Sequence, residues 1–573
     1  MKKALLGVAV AAAATAGYFY YENNASPITT DPVLSYVPAD TLMFSGSLED
    51  FPSQAYIEHL SSSITQLPME EIAKDKQLDS KGGKFVVALL RSFNDALAEP
   101  KTLLSKFGLA ASGKSYFYTL GLVPVIKVEL DSAAAFWKQI DLAEQQSDFT
   151  HAANQLNSVN YRRYRVADVN SNMPIDLILS VNNDLLTVTV SGLTGNEDSL
   201  KMALQQLKPQ VSLADSGVLQ DTIKTYDFKS QFVTFFNNIE LMKGLTTTDG
   251  NTLAKQLTYL FDKLGQNPLL EVRQAECASE LQKIAGNWPR IVAGYTHLDV
   301  NSKSAEIDTD FVVESHNKPI MTALAKLRGF APSYVDSKQG GLLSLGLALN
   351  NDEIVPAMSD IWNELQTPAY KCAPLAQFQQ QLSSQNPIML GMFTAMTSGV
   401  KGIASSLINV DFADGSEGPE FKAVDALVSV SADNPVAIFN NLKTFAPMLA
   451  NVTLSRHSDP IDLASLLPIP PQLGVKPMMA VKGQHLVIYT QGEAETVADS
   501  LTNESITSNG FFKLSMDHSR VTKYMLELAE MTDQPIPNQI NMFGGDQGKQ
   551  DIAIDFIDKG IVLSHKMSLK SDK

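Results

Sequence analysis

Two short runs in this 573-residue chain carry the spacing of known chemistry. Gly108-Leu109-Ala110-Ala111-Ser112-Gly113-Lys114-Ser115 fits G-x-x-x-x-G-K-S, the loop whose backbone amides and lysine cradle nucleotide phosphates. That chemistry needs a strand before the loop and a helix after it, so that the helix N-terminus faces the phosphates. Here the text runs the other way: Lys101 to Phe107 reads as a helix end and Tyr116 to Leu120 as a strand. A Gly-rich helix-to-strand turn is therefore expected, not a nucleotide site. Ser398-Gly399-Val400-Lys401 fits the S-x-x-K of penicillin-recognising enzymes, but the K-T-G strand and S-D-N element that such enzymes need are missing from the sequence.

The remaining candidates are weaker. No G-x-S-x-G elbow and no H-E-x-x-H occurs, and the eight histidines are scattered. His485 and His518 read as solvated residues at a turn and a strand end. Asp411, Asp414 and Glu417 share a loop without the alternating ligands and distant bidentate Glu of an EF-hand, which predicts a solvated hairpin loop. Gly544 to Gly548 reads as a flexible turn. No catalytic residue, cofactor site or metal ligand is assigned, and no cofactor is expected.

Cys277 and Cys372 are the only cysteines. In an exported chain a lone pair is expected to form a disulfide, closing a loop of about 95 residues worth up to roughly 4–5 kcal/mol in the chain-entropy model. The alternative is a pair of buried, inert thiols. The formal net charge of −17, with no offsetting basic run, disfavours phosphate backbones and excludes nucleic acid as an expected partner.

The elements that must position these residues run through one programme twice. Leu42 to Leu48 and Leu342 to Ala348 read as opening strands, each followed by helical text that Asn351 or Asp352 caps in the second case. Val128 to Asp131 leads into a helix at Ala135-Phe136-Trp137, and Val430 to Asp433 into one at Ala437-Ile438-Phe439. Asp131 and Asp433 are read as the N-caps, with Pro435 in the first turn. A hairpin turning at Asn182 to Asp184 matches one turning at Lys482 to Gln484. The stripe Leu200, Ala203, Leu204, Leu207 recurs as Ala494, Val497, Ala498, Leu501 at i, i+3, i+4, i+7. Phe232 to Asn237 then matches Phe511 to Met516, and two closing strands end each half. The expected fold class is α+β: two related modules of largely antiparallel sheet with helices packed on one face, after an N-terminal apolar helix.

Met1 to Tyr21 has two lysines before an apolar run and Glu22 directly after it, the pattern of an export segment. Tyr18 to Tyr21 favour a retained anchor; Ala14-Thr15-Ala16 offers a cleavage site. The expected organisation is a signal anchor or signal peptide over 1–21 and a linker over 22–36. A first module follows over 37–315, with a helical insertion near 242–285. A bridging helix over 316–335 and a second module over 336–573 complete it. Val37-Pro38-Ala39-Asp40-Thr41 before an apolar strand, with Ser212 to Ser216, resembles an uncharacterised family of exported bacterial envelope proteins. The second half departs from that turn, reading Ser333-Tyr334-Val335-Asp336-Ser337. The resemblance implies location and architecture and carries no activity.

The functional expectation is a non-enzymatic, periplasm-facing envelope protein: a binding or assembly factor, attached to the inner membrane through its N-terminal segment and acting on an envelope protein or ligand. Cleavage would leave it soluble in the periplasm. The alternatives are a periplasmic hydrolase with dispersed catalytic residues and a carrier of an apolar ligand.

Overall fold

The apolar-polar alternation of the strand text becomes antiparallel sheet in a computed structural model. It describes residues 31–60, 67–74, 78–168, 174–301, 303–384, 387, 391–415, 418–466, 475–490, 492–532 and 547–570. The expected apolar helix over 1–21 and the first part of the expected linker lie outside these residues. The chain divides into two units, Met1–Glu314 and Ser315–Lys573. Residues 31–36 are packed structure rather than linker: Val33 and Leu34 are buried, and buried Asp31 accepts from their amides and from the Tyr116 hydroxyl.

Unit 1 contains β1 (Met43–Gly46), then α1 (Ser53–Leu60), α2 (Met69–Ala73), α3 (Lys81–Ala98) and α4 (Pro100–Phe107). The hairpin β2 (Ser115–Leu120) and β3 (Val123–Glu129) leads to α5 (Ala133–Ser147). A meander follows: β4 (Ala152–Leu156), β5 (Val159–Asp168), β6 (Pro174–Asn182) and β7 (Leu185–Ser191). After it come α6 (Asp198–Ala203), α7 (Val218–Tyr226) and β8 (Val233–Asn237). Three helices occupy the expected insertion, α8 (Asn238–Thr246), α9 (Thr252–Leu264) and α10 (Ala275–Asn287), before β9 (Arg290–Val300) and β10 (Ser304–Glu314). The pairings give the order β4-β5-β6-β7-β3-β2-β1-β8-β9-β10, antiparallel throughout.

Unit 2 opens with α11 (Lys318–Lys326), capped by Asn317, whose Oδ1 accepts from the Ile320 amide. Next are β11 (Leu343–Leu347), α12 (Ile354–Gln366), α13 (Ala373–Ser383) and α14 (Gly391–Thr394). The long hairpin β12 (Val400–Gly415) and β13 (Gly418–Ala432) leads to α15 (Pro435–Leu442). Then follow β14 (Ile461–Asp462), β15 (Met478–Lys482), β16 (His485–Tyr489) and α16 (Glu493–Ser500). The unit closes with β17 (Phe512–Asp517), α17 (His518–Thr532), β18 (Gln547–Ile557) and β19 (Gly560–Lys570). Its order is β14-β15-β16-β13-β12-β11-β17-β18-β19, also antiparallel. Read strand for strand, this is the order of unit 1 without β4.

Helices pack against both faces of each sheet, not one as expected, although in unit 2 they cover only part of them. Successive strand residues point to opposite sides, and both sides are packed. Leu179 joins Phe85 of α3 and Phe136 of α5, whereas Ile178 joins Leu200 of α6. In unit 2, Leu486 packs with Ile438 and Phe439 of α15, and Val487 with Ala494 and Ala498 of α16. Strand text with apolar residues on both parities fits such double burial.

Several caps fall one residue from their expected place. Ser132, not Asp131, caps α5 by accepting from Ala135, and Asn434, not Asp433, caps α15 by accepting from Ala437. Neither Asn351 nor Asp352 caps α12, whose N-cap is Glu353. The strands β8 and β17 correspond at a 280-residue spacing, one more than the sequence comparison gave. Met43 pairs with Phe236 and Leu343 with Met516, while the Asn237 and Asp517 amides donate to the Leu42 and Leu342 carbonyls.

Candidate functional site

The common strand order exposes a difference in how the two sheets are clothed. On one face of unit 1, Ile126 and Val188 lie against a core built from Phe85 of α3, Leu103 of α4 and Ile140 of α5. Phe85 stacks on Tyr164 of β5 with ring centroids 4.3 Å apart. The positions facing the same way in unit 2 are Val428 and Ile488, paired across β13 and β16. They are exposed, Val428 to 43%.

The exposed residues Ile488, Val428, Leu345, Ile403 and Leu563 lie on two cross-strand rows whose other members are half-buried. One row runs Ile488, Val428, Ser405, Leu345, Leu514. The next runs Val430, Ile403, Leu347, Phe512, Ile554, Leu563. Ile403 is 49% exposed and Leu345 42%. Leu343 and Leu563 are exposed as well. On this side α15 closes the β15-β16 end over Val481, Leu486 and Val430, and α17 packs against β18 and β13, with His518 bonding Gln550 on the same side as Ile554. An open apolar sheet face of this extent marks an interaction surface more often than a bare exterior.

The cause lies in the connection between β11 and β12. In unit 1 the equivalent connection sends α3 and α4 onto the sheet. In unit 2, α12 packs on α11 instead: Lys326 bonds Asp360 at 2.9 Å, and Asn317 bonds Glu364 at 3.2 Å. α13 returns against α12, with the Trp362 indole N–H on the Leu382 carbonyl and the Gln379 amide on the Leu365 and Pro368 carbonyls.

The motifs that sequence reading singled out are structural. α4 precedes Gly108 to Ser115 and β2 follows it, the reverse of a phosphate loop. Gly108 ends α4 in the left-handed region at φ 64°, and a Cβ there would meet the Ser132 carbonyl oxygen at 2.0 Å. The Lys114 ammonium sits 3.5 Å from Asp31, and the Ser115 amide donates to the Ser47 hydroxyl. A cavity of about 440 Å³ adjoins the turn, but its polar lining includes the acid Asp131 and not Lys114.

Ser398 and Lys401 both bond Asp352, at 2.9 and 2.8 Å, so the carboxylate takes both groups that an S-x-x-K site needs free. Asp411 and Asp414 lie on β12, paired with Ala423 and Pro419 of β13, rather than in the expected loop, because the two strands run together almost to the tip; residues 416 and 417 lie outside the described residues. Residues 544–546 of the expected Gly-rich turn do so too.

The two histidines are not solvated. His485 is fully buried: its Nδ1 lies 2.9 Å from the Ser431 hydroxyl and its Nε2 3.3 Å from the Glu504 carbonyl, and burial lowers its pKa. His518 is buried with Nε2 2.6 Å from Gln550. Ser431 is as buried as His485, so this pair has the contact of a nucleophile and base but no exposure to substrate.

Cys277 and Cys372 are disulfide-bonded. Cys277 is buried in α10, and Cys372 is the buried N-cap residue of α13. Several buried ionisable groups were missed in the sequence, among them Asp176, Glu314 and, most deeply buried, Lys127. Lys127 of β3 donates to the Thr187 hydroxyl at 2.8 Å and the Ala203 carbonyl at 2.7 Å, and burial pushes its pKa down to about 7. The available signal was parity, since Lys127 shares its strand face with buried Val123 and Val125.

Among the described residues no group of three or more His, Cys, Asp or Glu side chains could hold a metal ion, and no helix is long and apolar enough to cross a membrane. No known protein family, curated protein or solved structure matches the chain.

Proposed function

We propose that this chain is a non-enzymatic, periplasm-facing envelope protein that binds a partner on the open sheet face of unit 2. The observation that carries the reading is the exposed apolar surface around Ile403, Val428 and Leu345 on a sheet whose counterpart in unit 1 is covered. The same contrast identifies the occupant. In unit 1 this face receives amphipathic helices, chiefly α3 with Phe85, Ala88 and Leu97, so the partner presents an amphipathic helix whose apolar stripe replaces them.

Two further readings support the assignment. We take the units as copies of one module, on their shared strand order and on the hydrogen bonds that recur at Asn237 and Asp517. Divergence of one copy into a binding surface then follows without a change of topology. The disulfide fits an oxidising compartment, and the basic-apolar-acidic run at Met1 to Glu22 fits export with retention as a single-pass anchor.

A photoreactive amino acid at Ile403 or Val428 in the full-length chain, activated in cells, tests the proposal. Capture of a protein through a helical segment supports it, provided that the same probe at Ile126 captures nothing. Capture of lipid alone, or of nothing from any position on this face, overturns it.

A further inference from the structure

The opposite face of the unit 2 sheet carries a second departure from unit 1, independent of the open apolar surface. In unit 1, the segment after α6 includes α7 and lays Phe228 on the sheet. Gly294 makes the room, since a Cβ there would meet the Phe228 ring at 2.4 Å. On the neighbouring strand positions Val233, Val292 and Val312 are wholly buried. At this corner of the first sheet the ring and the buried valines lie between half-buried Asp310 and the Arg290–Glu314 ion pair.

The corresponding corner of unit 2 has lysines and an acid in place of the valines. Val233 pairs with Gly294 as Lys513 pairs with Ala553, and Val292 with Val312 as Asp551 with Lys566. Fewer residues separate α16 from β17 than α6 from β8, and among the described residues only the short 3-10 turn Leu501–Asn503, and no α-helix, lies between α16 and β17. A cavity of about 370 Å³ is left, lined by Lys338, Lys513, Lys566, Asp336, Gln339 and Ser564 among others. Its acids are engaged: Asp551 accepts from both the amide and the hydroxyl of Ser337, and Asp336 stands 3.4 Å from the Lys513 ammonium. Lys338 is exposed.

We propose that this cavity binds an oxyanion, the phosphate or carboxylate group of a small molecule or of a lipid headgroup. Three lysines line a recess where the first unit sets the Phe228 ring, and Ser564 and Gln339 add hydrogen-bond donors. In a chain of net charge −17, lysines outnumber acids around this cavity, which favours an anion there.

The test uses the full chain with two sets of probes. Inorganic phosphate and citrate are titrated calorimetrically; phosphatidylglycerol vesicles are compared with phosphatidylcholine vesicles by flotation. Saturable binding of either soluble probe assigns a free ligand, and selective flotation with phosphatidylglycerol alone assigns a headgroup. Either result must weaken by about tenfold in Lys513→Met and also weaken in Lys338→Glu, which alters only an exposed residue. Ala553→Phe, which sets a ring where Phe228 lies in unit 1, must block binding while every lysine remains. No saturable binding in either set, or binding indifferent to these variants, overturns the proposal.

Discussion

Lys127 offers the sharpest test of the packing in unit 1. Its ammonium is inside the sheet with the Thr187 hydroxyl and the Ala203 carbonyl as partners, and burial holds its pKa near 7 against an ordinary 10.5. The unfolded chain keeps the ordinary value, so between about pH 7 and 10.5 it holds a proton that the folded chain has released. Stability therefore rises with pH across that window: the penalty is complete below about pH 7 and gone above about 10.5. The full shift corresponds to about 5 kcal/mol, of which about 2–3 kcal/mol is recovered between pH 6 and pH 9. Lys127→Met removes the penalty but strands two polar groups, at about 1–3 kcal/mol each. The substitution is thus nearly neutral at pH 6 and destabilising by a further 2–3 kcal/mol or so at pH 9. Urea unfolding of both proteins at the two pH values, followed by tryptophan fluorescence, reads the difference and cancels titrations common to both. A difference between the variants that stays flat from pH 6 to pH 9, or grows in the opposite direction, would refute the burial argument.

Further outcomes follow from other sites. Cys277 and Cys372 resist alkylation in the folded exported protein until reductant is added, and a Cys277→Ser, Cys372→Ser double variant loses up to roughly 4–5 kcal/mol in urea unfolding. Gly294→Ala drives a methyl group into the Phe228 ring and costs about 1–3 kcal/mol, measured by thermal unfolding. Ile403→Asp and Val428→Asp, both on the open face, change stability by less than about 1 kcal/mol while abolishing photo-capture of the partner. Asn317→Ala removes both the cap of α11 and the bond to Glu364, costing about 1–2 kcal/mol by the same unfolding assay.

Elements whose identity depends on nearby residues were legible in the sequence. The reversed order around Gly108 to Ser115 followed from helix text before it and strand text after it, and the hairpin turns at Asn183 and Gly483 fall where both residues adopt positive φ. The disulfide partners were legible because the chain has only two cysteines. Caps were harder, because Asp131-Ser132 and Asp433-Asn434 each offer two competent residues and only backbone geometry selects the second. The burial of His485 was not legible at all. It depends on the carbonyl of Glu504 and the hydroxyl of Ser431, neither adjacent in sequence. The open face was hidden for a related reason. Val428 and Ile126 read alike as strand residues, and what separates them is where the helices between the first two hairpin strands travel.

Those differences explain how one strand order can be both a scaffold and a binding element. Side chains alternate along a strand, so the two surfaces of a sheet are encoded on separate parities and can diverge independently. On β17, Leu514 belongs to the apolar row while Lys513 and Ser515 share the other parity; Lys513 and Leu514 both border the lysine-lined cavity, and Ser515 bonds the Val335 carbonyl. Unit 1 closes both surfaces, one with α3 to α5 and the other with Phe228. Unit 2 leaves each partly open, with apolar chemistry on one side and charge on the other. Register is then the functional constraint. A one-residue insertion early in β17 would turn Lys513 toward the apolar row and Leu514 toward the cavity, disabling two surfaces that no single side-chain substitution touches together.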